Sequence, residues 1–231
     1  MADKLTKKEL EQPDEFHTMG WRAIQYLSMH RKRFYTAGAI VLLILVLAGG
    51  WYFYRLDYEK KAQNLYSSAY GSYSAPGTAG EDMRGVYLKA LTIYEELVRD
   101  YPRSRVATLA LYNMGNLYFH VDDMKKAIES YRNFLKRSGD QDILIALAHQ
   151  GLGYCYEQTE EYDNALKSFE DANRTVKGTR FEYVNYANMA RMYEKMGKPK
   201  EAIEFYGNAA GKMKDPLMEA LVKRKLASLA P

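Results

Sequence analysis

An all-α chain is expected, a solenoid of helical hairpins behind a single N-terminal transmembrane helix, and three observations carry that expectation. First, a small residue, Tyr, Ala and an aromatic recur in Gly115/Tyr118/Ala127/Tyr131, Gly153/Tyr156/Ala165/Phe169 and Ala190/Tyr193/Ala202/Tyr206. The internal offsets are 3, 12 and 16, and the units start 38 and 37 residues apart. A constant period with constant internal spacing marks one unit stacked repeatedly, because a lone hairpin cannot cover its apolar face. Second, apolar residues return at helical spacing on both sides of a short turn, as in Leu111, Met114, Tyr118 and then Ala127, Ile128, Tyr131, Leu135. Third, residues 36–54 contain no charge.

Residues 1–35 read as a polar tail. The first 20 hold three bases (Lys4, Lys7, Lys8) against five acids (Asp3, Glu9, Glu11, Asp14, Glu15) and are expected to be disordered. Trp21, Ile24 and Leu27 fit a short interfacial helix leading into the apolar stretch. Residues 36–54, as a helix, reach ~28 Å at ~1.5 Å per residue, close to the ~30 Å hydrocarbon core of a bilayer. Trp51, Tyr52, Phe53 and Tyr54 gather at one end, where interfacial aromatics belong. Residues 21–35 carry Arg22, Arg31, Lys32 and Arg33 with no acid, a net of +4, against a net of +1 over residues 55–61. That asymmetry places the tail in the cytoplasm and carries the rest across the membrane. Two alternatives compete. A buried core helix has similar composition, but stacked hairpins offer no core wide enough to hide it. A cleaved signal peptide is the sharper rival, since Ala48-Gly49-Gly50 resembles a cleavage site. The long leading segment favours a retained anchor.

Residues 55–231 hold the hairpins. The small residue and the Ala let paired helices approach closely, and the Tyr and the second aromatic fill the space left. This pattern resembles the tetratricopeptide repeat. Unit two supplies Leu111, Met114-Gly115, Tyr118, Ala127, Tyr131 and Phe134. Unit three supplies Leu152-Gly153, Tyr156, Ala165, Phe169 and Ala172, and unit four Tyr186, Met189-Ala190, Tyr193, Ala202, Tyr206 and Ala209. An earlier, degenerate unit reads Tyr66, Ala69-Tyr70, Tyr73, then Ala90, Tyr94, Leu97 and Pro102, with an insertion around residues 75–80 and Tyr70 in place of the usual Gly. The family repeat is about 34 residues, and the surplus here is expected between hairpins, as at residues 136–142. Residues 216–230 read as a polar capping helix with Leu217, Leu221, Lys225 and Leu229 on one face.

Nothing in the sequence supports an enzyme. His17, His30, His120 and His149 are scattered, and neither a metal-ligand spacing nor a phosphate loop occurs, so no metal, cofactor or catalytic residue is expected. Gly151-Leu152-Gly153 begins like a dinucleotide loop, but Tyr156 stands where the third Gly belongs. The formal charge of +4 is spread along the chain with no basic stripe, which argues against nucleic acid. Cys155, the only cysteine, falls on a packed face and permits no internal disulfide. Asn173-Arg174-Thr175 matches a glycosylation acceptor, of weight only in a eukaryotic host.

The resemblance implies that the first helix of each hairpin lines a concave, peptide-binding groove. By register its positions are Tyr112, Asn116 and Phe119, then Leu147, Gln150 and Tyr154, then Ala187, Arg191 and Glu194. Tyr112, Asn116, Phe119, Gln150, Tyr154 and Arg191 combine aromatics, amides and a cation suited to an extended peptide; packing against the neighbouring hairpin is the alternative. The family's carboxylate clamp is incomplete, because Ser67 and Gly71 occupy its first places. Tail, anchor and exported repeats together resemble a bacterial inner-membrane family of ancillary Sec-translocon subunits and periplasmic chaperone partners. That resemblance implies a scaffold for translocated clients or for a chaperone. A fixed structural subunit of a membrane complex, or an envelope-assembly or cell-division coordinator, are the other readings.

Overall fold

Close approach of paired helices is what the repeated small residues permit, and it organises the chain. The computed structural model describes residues 15–74, 82–139, 142–179, 181–213 and 216–229. Among these the regular structure is entirely helical. An N-terminal unit, residues 1–57, contains α1 (Glu15–Met29) and the first part of α2 (Arg31–Ser74). The second unit, residues 58–231, contains the rest of α2 and eight further described helices.

In the first unit α1 departs from the disorder expected of the first 20 residues. Residues 1–14 lie outside the described residues, but residues 15–20 are already helical, within α1. The chain breaks its helix only at His30, whose backbone N–H donates to the Tyr26 carbonyl at 3.1 Å while the two rings stack at 4.6 Å. Side chains of residues 40–47 are between 56% and 66% exposed, so no protein core covers them and the core-helix alternative falls. One described helix, α2, is long and apolar enough to cross a membrane. It does not end where the apolar residues do: it continues unbroken to Ser74.

In the second unit that same helix supplies the first helix of repeat one. Its inward face is Ala62, Leu65, Tyr66, Ala69 and Tyr73, spaced three and four apart. The small residue of this repeat is Ala69, fully buried, whereas Tyr70 is 48% exposed and stacks on Tyr66 at 6.3 Å. A bulky residue at position 70 is tolerated because it points outward. The second helix is α3 (Met83–Asp100), which buries Ala90, Tyr94 and Leu97. The expected insertion at 75–80 lies outside the described residues.

Three hairpins follow: α4 (Arg105–His120) with α5 (Met124–Arg137), α6 (Asp142–Gln158) with α7 (Tyr162–Thr175), and α8 (Glu182–Lys195) with α9 (Pro199–Ala210). Their turns share one solution. Asp122, Glu160 and Gly197, each seven places after the small residue, adopt φ of 68°, 62° and 71°. The next N–H then returns to the carbonyl of Tyr118, Tyr156 or Tyr193 at 2.9, 2.8 and 2.9 Å, closing a Schellman motif. The close approach is quantitative. A Cβ built on Gly115 would lie 2.6 Å from the Tyr131 ring, and one on Gly153 would lie 2.5 Å from Phe169. Links between hairpins are longer than the turns, as expected for the surplus residues. The chain closes with α10 (Pro216–Leu229), but on a different face from the expected one. Val222 is buried with Leu226 and Leu229 beside it, while Leu217 and Leu221 are 70% and 42% exposed.

Candidate functional site

The first helices α6 and α8 are zipped together by polar rungs about one repeat apart in sequence. Gln150 Nε2 donates to Asn185 Oδ1 at 2.7 Å, and Asn188 Nδ2 donates to the Tyr154 hydroxyl at 3.0 Å. Arg191 grips Glu157 with two bonds, at 2.8 and 2.6 Å, and reaches Asn188 Oδ1 at 3.0 Å. Such a fork is the strongest kind of side-chain bond available here. Burial alone would raise the Glu157 carboxyl, but Arg191 and Lys195 hold it below the ordinary carboxylate range.

Between α4 and α6, among the described residues, no such side-chain bond is made. A cleft of about 240 Å³ takes its place, lined by Tyr112, Asn116, Phe119, His120, Leu147 and Gln150, with Tyr131, Gly151 and Tyr154 completing its wall. The structure therefore brings together Tyr112, Asn116, Phe119, Gln150 and Tyr154 around one depression. Arg191 is not among the lining residues; it belongs to the α6–α8 zip, its guanidinium 5.9 Å from the centre of the Tyr154 ring.

Several of these residues also hold the stack. Tyr112 packs on Phe134 and Tyr131 at 5.6 and 6.1 Å, and Tyr154 on Phe169 at 5.3 Å. Asn116 Oδ1 accepts from the Tyr131 hydroxyl at 2.6 Å. Groove and packing are thus the same residues seen from two sides, not exclusive assignments. Sequence register missed His120 and Gly151. His120 is exposed at the cleft edge, stacked on Tyr87 at 5.4 Å. Gly151 has no side chain, and a Cβ there would fall 2.4 Å from the Tyr131 ring. A second glycine two residues before the repeat glycine Gly153, and so on nearly the opposite side of α6 facing the preceding hairpin, was the available signal.

A profile of the tetratricopeptide repeat-like domain matches residues 32–231. The chain belongs to that family. The match takes in the apolar stretch of α2 as well as the hairpins. Solved structures with the same fold include BtubC from P. vanneervenii, at 18% identity and a TM-score of 0.55 over 74% of this chain and 80% of that one. MamA is similar at 20% identity and a TM-score of 0.51, over 63% of this chain and 83% of that one. No curated protein is significantly similar to the chain.

Other features of this tetratricopeptide-type scaffold carry less chemistry. Asn113, Asn116, Asn188 and Arg191, the residues left to an incomplete carboxylate clamp, are engaged internally: Asn113 Nδ2 lies 3.0 and 3.1 Å from the hydroxyls of Tyr66 and Tyr94, Asn116 accepts from Tyr131, and Asn188 and Arg191 belong to the zip. Cys155 is fully buried and its thiol is pushed up to about 12 by that burial, which makes it inert. Burial also lowers the basicity of His149. Among the described residues no three His, Cys, Asp or Glu side chains converge as metal ligands. A second depression, about 390 Å³, lies among α7, α8 and α9 beside Arg174, Lys177, Tyr186 and Phe205. Asn173 at its wall keeps Oδ1 buried without a partner.

Proposed function

We propose that this protein is a membrane-anchored binding scaffold whose α4–α6 cleft takes an extended segment of a protein partner. Stacked repeats offer extended concave surfaces, and the observation that carries the reading is the break in the polar zip. Where α6 and α8 satisfy one another, α4 and α6 leave Tyr112, Phe119 and Leu147 around an opening edged by the amides of Asn116 and Gln150, each of which already holds one internal bond. Aromatic and aliphatic walls suit a partner's side chains, and amides suit its backbone. The charge asymmetry about the apolar helix supports an orientation with the tail in the cytoplasm and the repeats outside it, and the resemblance of tail, anchor and repeats to the inner-membrane family suggests the bacterial inner membrane with the repeats in the periplasm. In that setting the partners are translocated clients or a periplasmic chaperone beside the Sec translocon. No cofactor, metal or nucleic acid enters this reading, and it assigns no catalysis.

Tyr112, Tyr154 and Arg191 are poor probes because each also holds the stack. Leu147 is better, 39% exposed on the cleft wall. A photo-crosslinker at His120 in intact cells should capture protein partners, and one at the exposed Glu129 on α5 should not. Leu147→Arg should then abolish the His120 crosslinks while leaving the circular dichroism spectrum and melting unchanged. Equal capture from both positions, or crosslinks indifferent to Leu147→Arg, would sink the cleft. A second reading, a permanently docked structural subunit, is favoured by the exposed Leu217 and Leu221 on α10. It requires one partner at fixed stoichiometry, released by Leu221→Glu rather than by Leu147→Arg.

A further inference from the structure

We infer that α1 is an amphipathic helix seated on the anionic lipid surface of the same membrane that α2 crosses. The inference rests on reading α2 as a membrane span. Trp21, Ile24 and Leu27 recur every third residue and so share roughly a third of the helix circumference. They are 69%, 67% and 44% exposed, and among the described residues they belong to neither core cluster. Arg22 stands on the far side of the helix. An apolar stripe with one large aromatic opposite a basic residue is the pattern of a helix lying in the headgroup region.

Two further observations choose lipid over a protein partner. The stripe ends next to the span, since α1 stops at Met29 and α2 starts at Arg31. The bilayer that takes residues 36–54 is therefore already beside it. Arg22, Arg31, Lys32 and Arg33 are exposed, residues 20–35 contain no acid, and among the described residues no carboxylate pairs with these bases. Four exposed cations on one short segment match headgroup phosphates of anionic lipid. The site thus recognises the charge of the membrane surface rather than a single molecule.

The two tryptophans of the chain, Trp21 and Trp51, give the test. The full chain carrying Trp51→Phe is reconstituted into phosphatidylcholine vesicles with and without about one third phosphatidylglycerol, and Trp21 is read by fluorescence. With the anionic lipid, its emission should shift to the blue. Lipid brominated near the headgroup should quench it more than lipid brominated near the chain end, and aqueous iodide should quench it less. Ile24→Gln with Leu27→Gln should reverse all three changes. Arg31→Gln with Lys32→Gln and Arg33→Gln should remove the dependence on phosphatidylglycerol. Trp21 remaining open to iodide in both vesicles overturns the inference. So does a blue shift without quenching by either brominated lipid, which means burial in protein, and so does equal insertion into neutral lipid. The Trp21→Phe chain separates the two readings. If brominated lipid quenches Trp51 while Trp21 stays open, only α1 docking fails, whereas an unquenched Trp51 removes the span itself.

Discussion

Asp122, Glu160 and Gly197 occupy the same left-handed position in three successive turns, with φ of 68°, 62° and 71°, yet only one of them is suited to it. A left-handed residue with a Cβ costs about 1–2 kcal/mol, and glycine's extra freedom in the unfolded chain takes back about 0.5–1 kcal/mol. Glu160→Gly should therefore raise stability by up to about 1 kcal/mol, read as a higher midpoint in urea for the full chain in detergent micelles. Gly197→Ala should lower it by a similar amount, and for a backbone reason alone, because a Cβ there meets no atom within 4 Å. Gly153→Ala fails for the opposite reason. Its φ is ordinary, but the added methyl would press on the buried Phe169 ring at 2.5 Å. Overpacking of that kind costs about 1–3 kcal/mol, and unchanged melting of Gly153→Ala would refute the close-approach account of the repeat. Tyr193 departs from its counterparts. Tyr118 and Tyr156 are buried, but Tyr193 is only half-buried against Phe205, so its removal should cost less than theirs.

Pairs of helices are held in two ways, by ring-on-glycine packing within hairpins and by the polar zip between α6 and α8. The Glu157–Arg191 rung makes the zip sensitive to acid. The folded carboxyl titrates below the unfolded one, so its stabilisation is complete above about pH 4.3, the ordinary glutamate value. It is lost as the pH falls through the folded value. His149 acts higher on the scale: the unfolded imidazole takes up a proton below about pH 6.5 that the buried one resists, so stability declines from there downward. Thermal midpoints measured from pH 7 to 3 should fall in two stages, and Glu157→Gln should flatten only the lower one. A lower stage unaltered by Glu157→Gln would remove this rung from the account. The hairpins were legible in sequence because Gly115, Ala127 and Tyr131 recur at fixed offsets, and a fixed offset on a helix is a fixed direction. The zip was not legible, since Gln150, Tyr154 and Arg191 could equally face a ligand or a neighbour, and register gives a direction without saying what stands there. The same limit misplaced the inward face of α10, where Val222 rather than Leu217 or Leu221 meets the stack.

At the scale of the whole chain, the apolar residues and the helix that contains them have different ends. Hydropathy stops at Tyr54, so sequence reading divides the chain there, but helix propensity does not stop, and α2 runs on to Ser74. Residues 55–70 contain neither Pro nor Gly, and nothing local ends the helix. The first repeat helix is therefore the continuation of the apolar one, with Tyr58 and Glu59 accepting from the backbone N–H groups of Arg103 and Arg105, both at 3.1 Å. This continuity bears on the choice between a retained anchor and a cleaved signal. Cleavage near Ala48-Gly49-Gly50 would cut inside a regular helix, where the backbone is held by its own hydrogen bonds and must unwind to enter a protease. Retention is the expected outcome. Full-size protein should remain in the membrane fraction after a carbonate wash. A phosphatase that is active only outside the cytoplasm, fused after Pro231, should be active. Fused instead after Ser28, it should be inactive if the proposed orientation holds, with Arg31, Lys32 and Arg33 on the cytoplasmic side. Release of a soluble species starting near Trp51 would establish cleavage, and activity from the Ser28 fusion would invert the topology and move the repeats to the cytoplasmic side.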